Sequence, residues 1–250
     1  MKSKKNIKIK IGLFLNTIIK NFGIQLLRYP DMDIRRRMKL FEHFKINKIF
    51  DVGANVGNYA ISLRKFGYTG EIISFEPLSE IFTILKNNSE GDKKWRIENI
   101  ALGDVDGETI INIAGNNDSS SLLGMLPAHT ESAPEAQYVG TEKIRINKLD
   151  TIFNNFTKDN DNIFLKIDTQ GFEKNVIDGA EDSLNKIRGI QIEMSLVHLY
   201  QGDFIYTEMI NILKSKGFDL YSIENGFANP ISGQLLQVDG IFYRINKGYL

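Results

Sequence analysis

The chain has 250 residues, 42% of them hydrophobic, enough for one well-buried α/β domain with a small appendage. It contains no cysteine, which excludes disulfides, thiolate metal sites and cysteine nucleophiles and fits a reducing, cytoplasmic compartment. Thirty-one Lys and Arg balance thirty-one Asp and Glu, but residues 1–50 hold thirteen of the bases against three acids, so the remaining body is acidic and opposes a nucleic-acid partner.

The basic segment opens with Lys2, Lys4, Lys5, Lys8 and Lys10, followed by Ile11, Leu15, Ile18, Phe22 and Leu26 at helical spacing. Asn16, Lys20, Asn21 and Gln25 interrupt the apolar run, which is too short and polar to span a bilayer and lacks a small-residue cleavage site. An amphipathic helix is expected, within an amino-terminal extension over residues 1–46. Its stripe either docks on the domain or on a second copy in a homodimer, or lies peripherally on the inner face of a membrane.

From residue 47 to 250, strand and helix patterns alternate, which predicts a mainly parallel sheet with helices on both faces. Strands are expected near 48–52, 71–76, 96–102, 162–168, 189–195, 218–224 and 237–245, and helices near 33–45, 56–66, 78–89, 171–187 and 203–216. The last two strands are separated only by turn signals and should form an antiparallel hairpin. Residues 103–150 break the alternation; they carry a short strand pair (108–113 and 143–146) and a long polar loop to Tyr138, expected as a lid beside the ligand edge.

The first strand runs into Asp51-Val52-Gly53-Ala54-Asn55-Val56-Gly57-Asn58, and the second ends in Glu76-Pro77. Gly53 allows a tight turn, Gly57 lets the next helix pack closely, and Glu76, 19 residues after Gly57, is placed to accept ribose hydroxyls. Asn55 stands where a dinucleotide fingerprint has its middle glycine, which argues against a pyrophosphate cradle. Asp51 suits the ammonium of S-adenosylmethionine, and the turn amides suit its carboxylate.

Farther on, Leu165-Lys166-Ile167-Asp168-Thr169-Gln170-Gly171-Phe172-Glu173 and Ile192-Glu193-Met194-Ser195 each end a strand in a carboxylate at the crevice edge. Asp168 and Glu193 could bind a divalent ion, orient an acceptor hydroxyl or share a proton; no third metal ligand is evident, and a metal is not favoured. Methyl transfer chiefly needs alignment and removal of the acceptor's proton, for which Asp168, Glu193 and His198 are candidate catalytic bases. Lys166, inside an apolar strand, needs a partner, and Glu173 is one candidate. Gln237 and Asp239 alternate with Val238 and line one face. His43 and His129 look incidental.

These blocks, with Asn99-Ile100-Ala101-Leu102-Gly103-Asp104, Ser120-Ser121-Leu122, Leu149-Asp150 and Gln237-Val238-Asp239-Gly240-Ile241-Phe242, resemble in order the FkbM family of S-adenosylmethionine-dependent methyltransferases. The resemblance implies a class I methyltransferase, Rossmann-like fold and O-methylation of a hydroxyl on a sugar, glycan or secondary metabolite. It implies cofactor contacts from Asp51, Gly53, Ala54, Asn55, Gly57, Asn58, Glu76 and Pro77, with Ala101 and Leu102 beside adenine, and puts Asp168 and Gln170 between cofactor and acceptor. The alternatives are a non-catalytic nucleotide-binding module of the same fold and an NAD-dependent oxidoreductase.

Overall fold

The computed structural model describes Ile19, residues 29–116 and residues 118–244; the amphipathic stripe of the basic extension lies outside these. Contacts divide the chain into two units, Met1–Leu40 and Phe41–Leu250. In the first, Asp31 Oδ1 accepts the amides of Asp33 and Ile34 at 2.9 Å each and so starts helix α1 (Met32–His43), which runs into the second unit. Among the described residues, no helix is long and apolar enough to cross a membrane.

The second unit is built on a seven-stranded sheet: β1 (Lys48–Val52), β2 (Glu71–Phe75), β3 (Trp95–Glu98), β7 (Ile163–Ile167), β8 (Ile187–Ser195), β9 (Phe218–Asn225) and β10 (Gln237–Arg244). The spatial order is β3-β2-β1-β7-β8-β10-β9, with β10 antiparallel to both neighbours and the other pairs parallel. β1 and β7 are buried along their whole length, which is why their apolar residues do not alternate with polar ones. Helices α2 (Asn58–Lys65), α3 (Ser79–Ser89) and α7 (Tyr206–Ser215) each bury residues three or four apart: Ala60 and Leu63, Ile81 and Leu85, Met209 and Leu213. The largest apolar cluster joins Phe50, Val52, Phe75, Leu165, Ile167 and Ile192 to Val176, Ile177, Met209 and Leu213.

Three expectations need correction. The strand foreseen at 96–102 is two: β3 stays in the main sheet, and β4 (Ala101–Leu102) leaves it to pair with β6 (Tyr138–Asn147). The break falls at Asn99, whose side-chain amide donates to the carbonyls of Glu76 and Pro77 at 2.9 Å each. The helix foreseen at 171–187 is a six-residue α6 (Glu173–Asp178) followed by a 3-10 turn, Ser183–Lys186. Asp150 explains the stop, because its carboxylate accepts the amides of Asp182 (3.0 Å) and Ser183 (2.7 Å) and starts a separate turn. The polar loop before Tyr138 holds helix α4 (Pro127–Ser132), with His129 and Ser132 buried.

The insertion adds a second sheet of order β4-β6-β5, where β5 (Gly107–Ala114) is antiparallel to β6. A four-residue α5 (Leu149–Ile152) returns the chain to β7. Between α4 and the segment after β8, Met125 pairs with Tyr200, and the Leu126 amide donates to the Leu199 carbonyl at 2.8 Å. The insertion is thereby seated at the carboxyl edge of the sheet, where β8 ends.

Gly53 is fixed by backbone crowding. Its φ is +71°, and a Cβ there would lie 1.8 Å from the Asp168 carbonyl oxygen. Gly53→Ala is expected to cost at least about 3 kcal/mol, since strained backbone adds to a clash with a main-chain atom. Thermal unfolding should read this as a midpoint lowered by about 6 °C or more; a midpoint within 1 °C of wild type would contradict the assignment.

Candidate active site

The strand register puts a polar row across one face of the sheet. Ser74 on β2, Asp51 on β1, Lys166 on β7 and Gln191 on β8 are successive cross-strand partners. Two residues farther along β7 and β8, on the same face, come Asp168 and Glu193, and Asp239 of β10 is paired directly with Glu193. The charges expected to line the crevice therefore do converge at the carboxyl ends of the strands.

Asp51 is fully buried. Its Oδ2 accepts from the Ser74 hydroxyl at 3.1 Å, while Oδ1 has no hydrogen-bond donor and lies 3.4 Å from the Lys166 ammonium. Burial raises the Asp51 pKa against the pull of Lys166 and Ser74. Lys166 is also 3.2 Å from Asp168 Oδ2 and donates to the Gly53 carbonyl at 3.2 Å. Burial opposes the charge of Lys166, yet Asp168 and Asp51 hold its pKa above the ordinary lysine value. Its partners are thus these two aspartates. Glu173 instead braces the turn after β7, accepting the amides of Thr169 (2.8 Å) and Gly171 (3.2 Å).

Glu76 closes the other side of the turn. Its Oε2 accepts the Asn55 amide and its Oε1 the Leu78 amide, both at 2.9 Å. A carboxylate offers about four acceptor positions, so roughly two remain for a ligand diol. Burial pushes its pKa up to about 7, against the two amide bonds. Asn99, which sequence reasoning did not single out, anchors this loop through the bonds given above.

The expectation that turn amides hold a ligand carboxylate is not met. Gly53 and Ala54 donate to the Phe75 carbonyl (3.1 and 3.0 Å), Val56 to Asn55 Oδ1 (2.6 Å) and Gly57 to the Ala54 carbonyl (2.9 Å). With Asn55 on Glu76, every amide of residues 53–57 is engaged. Asn55, at φ 50°, also donates from its side chain to Asp118 of the insertion at 3.0 Å. Pro77 offers its carbonyl to Asn99, and Ala101 and Leu102 are buried, Ala101 beside Leu78 and Ile146 and Leu102 in the main cluster. Asn58 opens α2.

Glu193 is bound through one oxygen only. Its Oε2 accepts from the side-chain amides of Gln170 (3.1 Å) and Gln237 (2.7 Å), which leaves Oε1 without a donor among the described residues. Burial and the carboxylates of Asp168, Glu173 and Asp239 raise its pKa well above the usual range, and Lys166 offsets this in part. Both oxygens of Asp168 are engaged, Oδ1 by Gln170 at 2.9 Å and Oδ2 by Lys166.

His198 does not join this cluster. Its Nδ1 is 2.6 Å from Oδ1 of the buried Asp203, whose Oδ2 accepts the amides of Leu199 and Tyr200. That bond raises the His198 pKa, while the ring is 58% exposed. Among the described residues, no three His, Asp or Glu side chains are grouped so as to hold a metal ion.

A parallel sheet whose final strand is reversed and inserted beside β8, an acid–glycine turn after β1 and a carboxylate after β2 define a class I methyltransferase of the S-adenosylmethionine-dependent kind. Residues 51–220 match the methyltransferase FkbM domain, and the chain belongs to that family.

No curated protein matches the chain. Among solved structures it is similar to TehB from Haemophilus influenzae, at 8% identity and a TM-score of 0.47, covering 91% of this chain and 65% of that one. An rRNA methylase from Streptococcus thermophilus gives 7% identity and a TM-score of 0.45 over 88% of this chain and 100% of that one. Precorrin-6y C5,15-methyltransferase from Geobacter metallireducens gives 12% and 0.44 over 89% and 94%.

Proposed function

We propose that the protein transfers a methyl group from S-adenosylmethionine to a hydroxyl of a neutral, polyhydroxylated acceptor, a sugar or glycan. The observation that carries this reading is the Asp168–Glu193 pair at the carboxyl edge, one of whose oxygens, Glu193 Oε1, has no donor among the described residues. Carboxylates accept hydrogen bonds from hydroxyl groups and repel anions, so this edge suits a polyol better than a phosphate or uronate. Asp51, Asp168, Glu193 and Asp239 set four carboxyl groups against the Lys166 ammonium.

The residues present fit the cofactor. Glu76 retains acceptor positions for the ribose diol, Asp51 carries a buried acceptor with no hydrogen bond, and the ligand's carboxylate falls to the first turn of α2 at Asn58, where the helix dipole favours an anion. S-adenosylmethionine, when bound, supplies an electrophilic methyl group on a sulfonium and leaves as S-adenosylhomocysteine. Asp168, fixed by Lys166 and Gln170, orients the acceptor hydroxyl. Glu193 accepts its proton at Oε1 as the oxygen becomes nucleophilic, and the high affinity for protons that its neighbours impose suits a general base. The insertion, tied to Asn55 through Asp118, shapes the acceptor side of the crevice.

Incubation with methyl-labelled donor and a panel of neutral glycosides, acidic sugars and RNA tests the reading. Alkali-stable label, as expected of a methyl ether, should enter a neutral glycoside. Label confined to RNA, or released by mild alkali as from an ester, would overturn it.

A further inference from the structure

Gln170 has φ +56° and is followed by Gly171 at +95°, two left-handed residues in succession. A glutamine in this region is strained, and such strain persists only where surrounding contacts over-determine it. The turn does not need this side chain, because Glu173 already binds the amides of Thr169 and Gly171. What the glutamine side chain adds is three hydrogen bonds, beside a fourth made by its main chain. Its Nε2 donates to Asp168 Oδ1 (2.9 Å) and Glu193 Oε2 (3.1 Å), its Oε1 accepts from the Tyr200 hydroxyl (2.9 Å), and its main-chain carbonyl accepts from the Ser121 hydroxyl (2.6 Å).

We propose that Gln170 is a positioning residue: its amide bridges Asp168 and Glu193, sets their separation and is anchored by Tyr200, while its main-chain carbonyl ties the turn to Ser121 of the insertion. This rests on the reading of Glu193 as the base. The two carboxylates repel each other, and a neutral group that turns two N–H donors to them eases that repulsion. The amide works in one orientation only, since a flip would aim Oε1 at two carboxylates. Tyr200 anchors the amide in that orientation by donating to Oε1.

Tyr200 is itself locked. It is completely buried, and burial raises its pKa, so the hydroxyl remains a donor. The His129 ring of α4 meets it edge-on at 5.1 Å and 75°. His129 thus acquires a role as the wall behind Tyr200. The insertion therefore reaches the catalytic carboxylates through Ser121 on the Gln170 main chain and through α4 behind Tyr200.

The test is a carboxyl-carbon NMR titration of full-length protein labelled in glutamate, with the Glu193 resonance assigned by its absence in Glu193→Gln. In Gln170→Leu, loss of a charge-assisted donor should raise the Glu193 titration midpoint by about one pH unit. The dissociation constant for S-adenosylhomocysteine should stay within about threefold of wild type, since the amide faces the carboxylate pair. Tyr200→Phe, which removes the anchor of Gln170 Oε1 but little volume and so loosens the amide's hold on Glu193, should move the midpoint the same way and serves if the leucine variant does not fold. An unmoved midpoint in whichever variant folds overturns the inference, as does a dissociation constant raised tenfold or more, which would make Gln170 a cofactor contact. Failure of the base assignment would read differently: Glu193→Gln would methylate at the wild-type rate whatever the titration showed.

Discussion

Glu193→Gln is expected to lower kcat for the acceptor found in the panel by about 10² to 10⁴, the usual contribution of a positioned general base. The change keeps the size of the side chain and an oxygen to accept from Gln170 and Gln237, so the fold and the affinity for S-adenosylhomocysteine should be preserved. The pH profile is the sharper readout. Burial, with Asp168, Glu173 and Asp239 close by, raises the pKa of this carboxyl. Only its ionised form accepts a proton, so wild-type kcat should climb about tenfold per pH unit until the pH passes that raised pKa, then level off. The climbing limb should vanish in the variant. If it survives there unchanged, Glu193 is not the base, and the exposed His198, fixed by Asp203, becomes the next residue to test.

Glu76 supplies the second large effect. Its pKa is pushed up to about 7 by burial, and the ionised form is the better acceptor for a ribose diol. Folded protein at pH 6 is then mostly protonated at Glu76 and must release that proton to bind, whereas at pH 8 it is mostly ready. Affinity for S-adenosylhomocysteine should accordingly weaken about tenfold between pH 8 and pH 6. Glu76→Ala should lose about 10²-fold at pH 8, through the bonds given up to the ribose and the Asn55 and Leu78 amides left without an acceptor. Calorimetry at both pH values checks this. Equal affinity at pH 6 and pH 8, or an alanine variant binding as wild type does, would remove Glu76 from the cofactor site.

Much of the sheet was legible because its strands announce themselves locally. β1 and β7 are five-residue strands, the first with three apolar residues and the second with four, and each leads into a turn containing glycine. The hairpin of β9 and β10 followed from the absence of a helical pattern between them. Elements decided by distant partners were not legible. Nothing near Gly179 in the sequence says that Asp150, about thirty residues earlier, will start a new turn there, so the helix after Glu173 was drawn too long. Lys166 gave notice that it needed a partner, but parallel register, which sequence does not reveal, chose Asp51 and Asp168 over Glu173.

The site shows the same division. Glu76, Asp168 and Glu193 could be found because each ends an apolar strand. The sequence of the turn from Gly53 to Gly57 suggests amides open to the ligand's carboxylate, whereas they close on Phe75, Glu76, Asn55 and Ala54. Asn99, Tyr200 and Asp203 act through side-chain bonds to groups brought near only by the fold. For Asn99 and Asp203 the one available signal is an Asn or Asp at a break between apolar segments, which is too common to single them out; Tyr200 carries none.

The account depends on an adenosyl sulfonium cofactor seated where β1 and β2 end. Thermal unfolding of the full chain with saturating S-adenosylhomocysteine tests this most directly. At one hundred times its dissociation constant, a ligand of the native state stabilises by about 2.7 kcal/mol, about 5 to 10 °C for a protein of this size. A shift of that order with S-adenosylhomocysteine and none with NAD is the predicted result; a shift with NAD and none with S-adenosylhomocysteine would contradict it.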